Sequence, residues 1–310
     1  MCDRVTGSRI LLGVPMHPGQ LDVTTDLVAR LIRSQFPEWI DLPIRAVTSH
    51  GTVNALFRIG DELVARFPIL PGDPAAVRKE LEEEAEAAHR LRAVSPYPTP
   101  APITIGEPGE GYPQPWAIYS WLEGTIAYDV DVAGSTEFAQ DLARFVLALR
   151  AMPTEGRVFT GSWRGGVLTS QDASVASGLE RSRGMIDVDA LGRLWADLRT
   201  TPRTEPDVWT HRDLMPGNLL VADGRLAGVI DVGTLAVADP AMDLAPAWNL
   251  LDARARTAFR EAVGSDDAQW RRGMGWSFAQ AIGCIWYYVE TNPVMSRTAH
   301  HTLTELLRVG

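Results

Sequence analysis

His211-Arg212-Asp213-Leu214-Met215-Pro216-Gly217-Asn218 opens a stretch that ends at Ile230-Asp231-Val232-Gly233. Between them, Asn218 to Val221 and Leu226 to Ile230 are short apolar runs on either side of the turn Asp223-Gly224, which predicts a hairpin. The hairpin is entered by a carboxylate and an amide and left by a second carboxylate. Such a set suits phosphoryl transfer. That reaction needs the acceptor hydroxyl placed in line, its proton received, and the phosphate charge neutralised by metal ions. Asp213 is the candidate to receive the proton. Asn218 and Asp231 are the candidates to hold Mg²⁺, which prefers oxygen ligands.

Upstream, the pattern is mixed. Leu27, Val28, Leu31 and Ile32 share one face of a helix over Thr24 to Phe36. Strands follow at Ile44 to Val47, Ala55 to Ile59 and Leu63 to Phe67, with Gly60-Asp61 as a turn signal. An acidic helix runs from Pro74 to Arg92 and stops in a proline-rich stretch ending near Pro102. Ile103 to Ile105 and Trp116 to Trp121 read as two more strands. This order predicts a small sheet with one helix packed on it. From Gly124 the pattern turns helical. Phe138, Leu142, Phe145, Val146 and Leu149 mark a core-facing helix, and Asp187 to Leu198 marks another. Pro153 to Gly184 reads as irregular, with a turn at Arg164-Gly165-Gly166, and the chain is mostly helical from Pro240 onward.

The stretch 211–233 resembles the catalytic loop and Asp-Phe-Gly segment of kinases. Pro216 and Gly217 before Asn218, and Asp239-Pro240-Ala241-Met242-Asp243-Leu244 further on, resemble the aminoglycoside phosphotransferase and choline-kinase-like branch of small-molecule kinases. The resemblance runs through the whole chain, lobe by lobe. It implies an α+β, two-lobed protein-kinase-like fold. An N-terminal nucleotide-binding lobe, a small sheet plus a helix, would occupy residues 1–122, with a hinge near 119–123. A mainly helical C-terminal lobe, 123–310, would carry the catalytic loop and the acceptor site. The implied reaction is O-phosphorylation of a small-molecule hydroxyl by ATP or GTP with Mg²⁺. The preferred acceptor is an aminoglycoside-like antibiotic, which would make this a resistance enzyme. A macrolide or peptide-antibiotic kinase, a metabolic kinase for an amino alcohol or sugar, and a non-catalytic nucleotide-binding pseudokinase are the alternatives. The short interval from Asp231 to Asp239-Pro240 leaves little room for a protein kinase's activation loop.

The resemblance also implies roles residue by residue. Kinases pair the α- and β-phosphates with a lysine in a Val-Ala-x-Lys strand. This chain has Val64-Ala65-Arg66 there, and its only lysine is Lys79 in the next helix. Arginine can clamp phosphate bidentately, so the role survives the change. Glu84 is the implied partner of Arg66, with Glu80 and Glu83 as alternatives. The segment Ser49 to Asn54 would cover the phosphates with backbone N–H groups and the hydroxyls of Ser49 and Thr52. The hinge, Tyr119 to Leu122 with Ser120 and Leu122, would offer backbone groups to the purine. His211, Asp239 and Asp243 read as packing and capping groups. The acceptor would lie near Trp270, Trp276, Trp286, Tyr287, Tyr288 and Glu290, with Asp266 and Asp267 available to ammonium groups. Core packing and surface exposure are the plain alternatives for those residues.

Composition bounds the rest. A net charge of −10 argues against a general nucleic-acid binder, and suits a cationic acceptor or simply solubility. Cys2 and Cys284 make neither a disulfide framework nor a metal site. The run Ile10 to Val14, broken by Pro15, is too short for a signal peptide, and Met274 to Val289 is interrupted by Gln280 and reads as a buried helix. A cytoplasmic protein without membrane or nucleic-acid partners is expected. Oligomeric state is not legible.

Overall fold

The computed structural model describes residues 17–49, 51–161 and 164–309; Cys2, the run Ile10 to Val14 and His50 lie outside them. A helix α1 (Thr25–Gln35) precedes three strands, β1 (Ile44–Val47), β2 (Asn54–Ile59) and β3 (Leu63–Pro68). Then come α2 (Pro74–Val94), β4 (Pro102–Gly106) and β5 (Trp116–Ser120). The strands form one antiparallel sheet in the order β1-β2-β3-β5-β4, with Arg66 opposite Leu56 on one side and Ala117 on the other.

Strand alternation divides this sheet into two buried faces. Phe57, Ile59, Ala65, Phe67, Trp116 and Ile118 pack under Leu27, Val28, Leu31 and Ile32 of α1. Ala117 and Tyr119 turn the other way, toward Val77, Leu81, Ala88 and Leu91 of α2. The sheet therefore carries two helices rather than the one expected. The first helix lies where its apolar stripe predicts, but a stripe does not say which face of a sheet it will cover.

The C-terminal lobe begins with β6 (Thr125–Ile126) and the helices α3 (Thr136–Arg150), α4 (Asp172–Arg181) and α5 (Val188–Leu198). Strands β7 (Val208–Thr210), β8 (Leu219–Ala222), β9 (Arg225–Val229) and β10 (Ala236–Ala238) follow, then α6 (Pro246–Asn249), α7 (Ala253–Val263), α8 (Asp267–Tyr287) and α9 (Pro293–Val309). The hairpin β8–β9 pairs with β6, and β7 pairs with β10. Two short ladders thus bracket the loop that holds Asp213. No described helix is long and apolar enough to cross a membrane.

The segment expected to be irregular contains α4. Its sequence has a weak apolar stripe, but Val175 is buried, and a Cβ on Gly178 would come within 2.9 Å of Ile282. Close packing on α8 overrides the poor intrinsic propensity of its glycine and serines. Asp172 then ties α4 to α5 through Arg199 and through Trp195 Nε1 at 3.0 Å.

Asp141, on α3, anchors the hairpin. Its side chain is 1 % exposed and accepts from Arg225 Nε at 2.6 Å, Tyr97 Oη at 2.9 Å, the Leu226 N–H at 3.2 Å, and Arg144. Burial alone would raise its carboxyl, but the hydrogen bonds from Arg225, Tyr97, Arg144 and the Leu226 N–H outweigh it and hold the group at about 2. A depressed carboxylate stabilises the fold above its unfolded value near 4, and that contribution disappears as pH falls toward 2. Asp141→Asn is expected to cost about 2 kcal/mol at pH 7 and to lose most of that difference by pH 2. Urea melts at both pH values check it. Equal penalties at the two pH values would show that the charge is irrelevant.

Candidate active site

The loop between β7 and β8 is built by its own neighbours. Asp243 is fully buried, and its two carboxylate oxygens accept from the backbone N–H groups of His211 and Arg212, each at 2.8 Å. Burial pushes its carboxyl up, against the opposing pull of His211 and these two N–H groups. Arg212 sits at φ +68°, a left-handed conformation that arginine adopts only where its surroundings enforce it. Its guanidinium donates to the Arg164 carbonyl at 2.8 Å, and Thr234 Oγ1 donates to the His211 carbonyl at 2.6 Å. His211 itself is buried, with Nε2 3.2 Å from the Ile230 carbonyl and its ring edge-on to Phe145. Its expected structural role fits this placement. Asp239 caps the turn after it through Ala241 N at 3.0 Å and receives Arg272 Nε at 3.1 Å and Trp276 Nε1 at 3.0 Å.

With the loop fixed, Asp213 and Asn218 face each other. Asn218 Nδ2 donates to the Asp213 carbonyl at 2.9 Å and to Asp213 Oδ2 at 3.0 Å. Asp213 Oδ1 accepts from Gln280 Nε2 at 2.7 Å and lies 3.6 Å from Arg164 Nη2. Across the cleft, Arg66 pairs with Glu84 through one terminal nitrogen and reaches Asp231 Oδ1 at 3.4 Å with the other. Asp231 is at φ +61° and its side chain is 45 % exposed, whereas Arg66 and Glu84 are largely covered. Gly233 matters here, because a Cβ would sit 3.3 Å from the Glu84 carboxyl carbon and press on the Arg66 pair.

Among the acids of α2, Glu84 is the partner. It continues the buried row Val77, Leu81, Ala88, Leu91 at spacings of three and four, so it points at the sheet. Glu80 and Glu83 face solvent, and Lys79 pairs with Glu83 at 3.7 Å in the open.

Other expected residues are placed differently. Ser49 Oγ accepts from the Gly51 N–H at 2.9 Å. The Thr52 side chain bonds Tyr288, and the Thr52 carbonyl lies 2.8 Å from His17 Nε2, so this loop touches the end of α8. Ser120 pairs with Ala101 through both its N–H and its hydroxyl, at 2.8 Å each, so those groups serve the sheet. Leu122 packs toward Gly228.

Packing puts most of the residues considered for the acceptor site in the core or on the surface, the plain alternatives for them. Trp276 is buried against Asp239, Trp270 packs at a tilt against Trp248 with ring centroids 4.7 Å apart, and Trp286 lies under Arg181. Asp266 caps α8, and Asp267 pairs with Arg260 in a separate groove that also holds Trp270. Glu290 is exposed. Of that set, Tyr287 and Tyr288 sit beside the 51–53 loop. Arg164 and Gln280, seen in the sequence only as a turn residue and as an interruption of an apolar run, are the groups that reach Asp213.

Residues 45–276 match the family model described as the phosphotransferase enzyme family. The chain belongs to that family. An aminoglycoside 3'-phosphotransferase of Escherichia coli is 28% identical over 152 residues, covering 45% of this chain and 54% of that protein. Another, of Streptomyces fradiae, is 40% identical over 94 residues, 26% of this chain and 35% of that one. The chain thus spans about half, or less, of the length of these curated relatives. Among solved structures, the GDP complex of wild-type aminoglycoside 2'-phosphotransferase-IIIa superposes with a TM-score of 0.71 at 20% identity, over 93% of this chain and 100% of that one. Macrolide 2'-phosphotransferase MphH from Brachybacterium faecium, as apoenzyme, gives 0.59 at 20% identity, over 90% and 97%. The two-lobed kinase-like fold expected from the sequence is the one observed.

Proposed function

We propose that this member of the phosphotransferase family moves the γ-phosphoryl group of ATP or GTP to a hydroxyl on a small molecule, with aminoglycoside-like antibiotics as the first acceptors to try. One observation carries the reading: Arg66 of the first lobe meets Asp231 of the second at 3.4 Å, on the cleft that Asp213 and Asn218 also line. The division near residues 122–123, with nucleotide held by the first lobe, belongs to this reading, as does a cytoplasmic setting.

The donor set fits Mg²⁺. Asn218 directs its amide nitrogen at Asp213, which leaves its amide oxygen as the free end, and Asp231 keeps a largely open carboxylate. An amide oxygen, a carboxylate and phosphate oxygens make a suitable shell, and the ion, when bound, supplies neutralisation of charge on the transferred group. Arg66 grips the α- and β-phosphates, and Glu84 keeps it aimed. The backbone of the loop through Ser49 and Thr52 lies over the phosphates, and the Leu122 backbone serves the purine. Asp213 orients the acceptor hydroxyl and takes its proton. Its Oδ2 has a second lone pair beyond the one used by Asn218. As the new P–O bond forms, the bond to the β-phosphate oxygen breaks and ADP or GDP leaves.

A coupled nucleotide-turnover screen tests this with each nucleotide. The panel is aminoglycosides, macrolides, peptide antibiotics, amino alcohols and sugars. Saturable, acceptor-dependent release of nucleoside diphosphate by at least one aminoglycoside is the expected result. Nucleotide binding without turnover on any acceptor would leave the pseudokinase reading standing instead.

A further inference from the structure

We propose that Gln280 is a positioning residue for the phosphoryl transfer: it sets the plane of the Asp213 carboxylate and so aims the lone pair that receives the acceptor's proton. The inference rests on the reading of Asp213 as the base.

An aspartate does not fix that plane by itself. The torsion that turns its carboxylate is broad, without sharp staggered wells. The plane is set by what donates to the two oxygens. Oδ2 accepts from Asn218 Nδ2 at 3.0 Å, and the same nitrogen donates to the Asp213 carbonyl at 2.9 Å. That contact is local and divided between two acceptors. Alone it is a pivot about which the carboxylate can still turn. Oδ1 accepts from Gln280 Nε2 at 2.7 Å, the shorter of the two contacts, and this donor comes from α8, 67 residues along the chain. Arg164 Nη2 stands farther from that oxygen, at 3.6 Å. Donors on both oxygens, from two different elements, pin the plane. Each ionised oxygen keeps a further lone pair, so the carboxylate is oriented and still able to accept a proton.

One short turn, Asp239 to Leu244, brings the two residues together. Asp243 of that turn accepts from the N–H groups of His211 and Arg212, and so places the loop that carries Asp213. Asp239 of the same turn accepts from Arg272 Nε at 3.1 Å and from Trp276 Nε1 at 3.0 Å, and so places α8. Arg272, Trp276 and Gln280 follow one another at a spacing of four, in successive turns on one side of the helix. Gly273 lets the helix lie close against the turn, since a Cβ there would come within 2.9 Å of the Leu244 Cβ. Loop and helix are thus referred to the same small piece of chain. This packing places the backbone of residue 280, and the bond to Asp213 then orients its amide.

The effect belongs on the rate of the chemical step. A positioned base is worth about 10²–10⁴-fold, and a misplacement of about an ångström can cost about 10²-fold. Loss of the Gln280 donor frees the carboxylate plane but leaves the carboxylate in the cleft, so a loss of about 10–100-fold is expected. Gln280 and Asp213 are both half-buried. Water can therefore reach Oδ1 once the amide is gone, and the fold does not depend on the contact.

The experiment is steady-state kinetics of wild type, Gln280→Met, Gln280→Glu and Gln280→His, with kanamycin A or the fastest acceptor of the turnover screen. Methionine keeps the length without the donor, glutamate keeps the shape with an acceptor in its place, and histidine puts a ring N–H the same number of bonds from the backbone. Gln280→Met and Gln280→Glu are expected to lower kcat by about 10–100-fold with acceptor KM within about threefold. Mg·nucleotide affinity by calorimetry, expected within about twofold of wild type, shows that they are folded. Gln280→His should recover part of the lost kcat. In the Asp213→Ala background, Gln280→Met should change the residual turnover by less than about twofold, because Gln280 acts through the carboxylate alone. A crystal structure of Gln280→Met with Mg·nucleotide should show the Asp213 carboxylate turned, or split between two orientations. A raised KM with unchanged kcat overturns the inference, because Gln280 would then bind the acceptor. So does a full further loss on top of Asp213→Ala, an unmoved carboxylate in Gln280→Met, or a kcat for that variant within about threefold of wild type. Each of these leaves the kinase reading standing, whereas absence of wild-type turnover on every acceptor overturns that reading itself.

Discussion

Asp213→Ala is expected to lower acceptor-dependent turnover by about 10²–10⁴-fold while leaving Mg·nucleotide affinity within about twofold, the range set by loss of a positioned general base. The split follows from where the carboxylate sits. Gln280 and Asn218 hold it from either side, and the groups assigned to nucleotide, Arg66, Glu84 and Asp231, are organised by a different set of contacts. Removing the side chain still leaves Asn218 Nδ2 its bond to the residue-213 carbonyl at 2.9 Å, so the amide stays in place. Asp213→Asn should be as inactive as the alanine variant. An amide there cannot take the hydroxyl proton, and it would have to turn its own NH₂ toward one of the two donors already present. Single-turnover rates and calorimetry separate the two effects. Retention of more than about a tenth of wild-type turnover would remove Asp213 from the role of base.

How far the sequence could be read depended on whether its signals were local. The α1 stripe Leu27, Val28, Leu31, Ile32 and the strands around Gly60 are set by neighbours a few positions apart, and they appear where periodicity places them. The loop residues Asp213, Asn218 and Asp231 were legible because the hairpin that joins them is itself local. Glu84 was legible in principle, since it extends a buried row at spacings of three and four. The sequence shows an acidic run, and only the position of the sheet shows which member faces inward. Helix α4 was hidden because its stability comes from contact with α8, about a hundred residues away. The acceptor side was hidden for a related reason. α8 has no one-sided apolar stripe, so its tryptophans carry no facing signal, and Trp270 and Trp276 pack against Trp248 and Asp239 while Gln280 turns toward Asp213. The one available cue was that Gln280, the amide within the apolar run Met274 to Val289, needs a partner. Arg164 gave no such cue in a glycine-rich turn.

The second large effect concerns the arginine that stands where kinases carry lysine. Arg66→Ala should weaken Mg·nucleotide binding and lower turnover at least as much, because each charge-assisted hydrogen bond it makes to phosphate is worth roughly 1.5–3 kcal/mol. The structure gives reasons beyond the charge itself. Burial would lower the guanidinium's proton affinity, but Glu84 and Asp231 more than compensate and raise it, so the group stays charged in a nearly closed site. Glu84 is in the reverse position: burial pushes its carboxyl up, and Arg66 opposes that push. Without Arg66 the buried Glu84 loses its main counter-charge and takes up a proton more readily, which compounds the loss. Arg66→Lys should restore part of both binding and rate, since lysine brings the charge but cannot reach Glu84 and Asp231 with two nitrogens in one plane. Glu84→Gln should be a milder version of Arg66→Ala, because the arginine keeps Asp231 but loses the carboxylate that orients it. A double-mutant cycle across Arg66 and Glu84 should show coupling rather than additivity, in the rate as well as in nucleotide affinity. A pseudokinase would show coupling in affinity alone, with no rate to couple. If Arg66→Ala leaves affinity and turnover both unchanged, the Arg66–Glu84–Asp231 contacts merely close the two lobes together, and the phosphates must be held elsewhere.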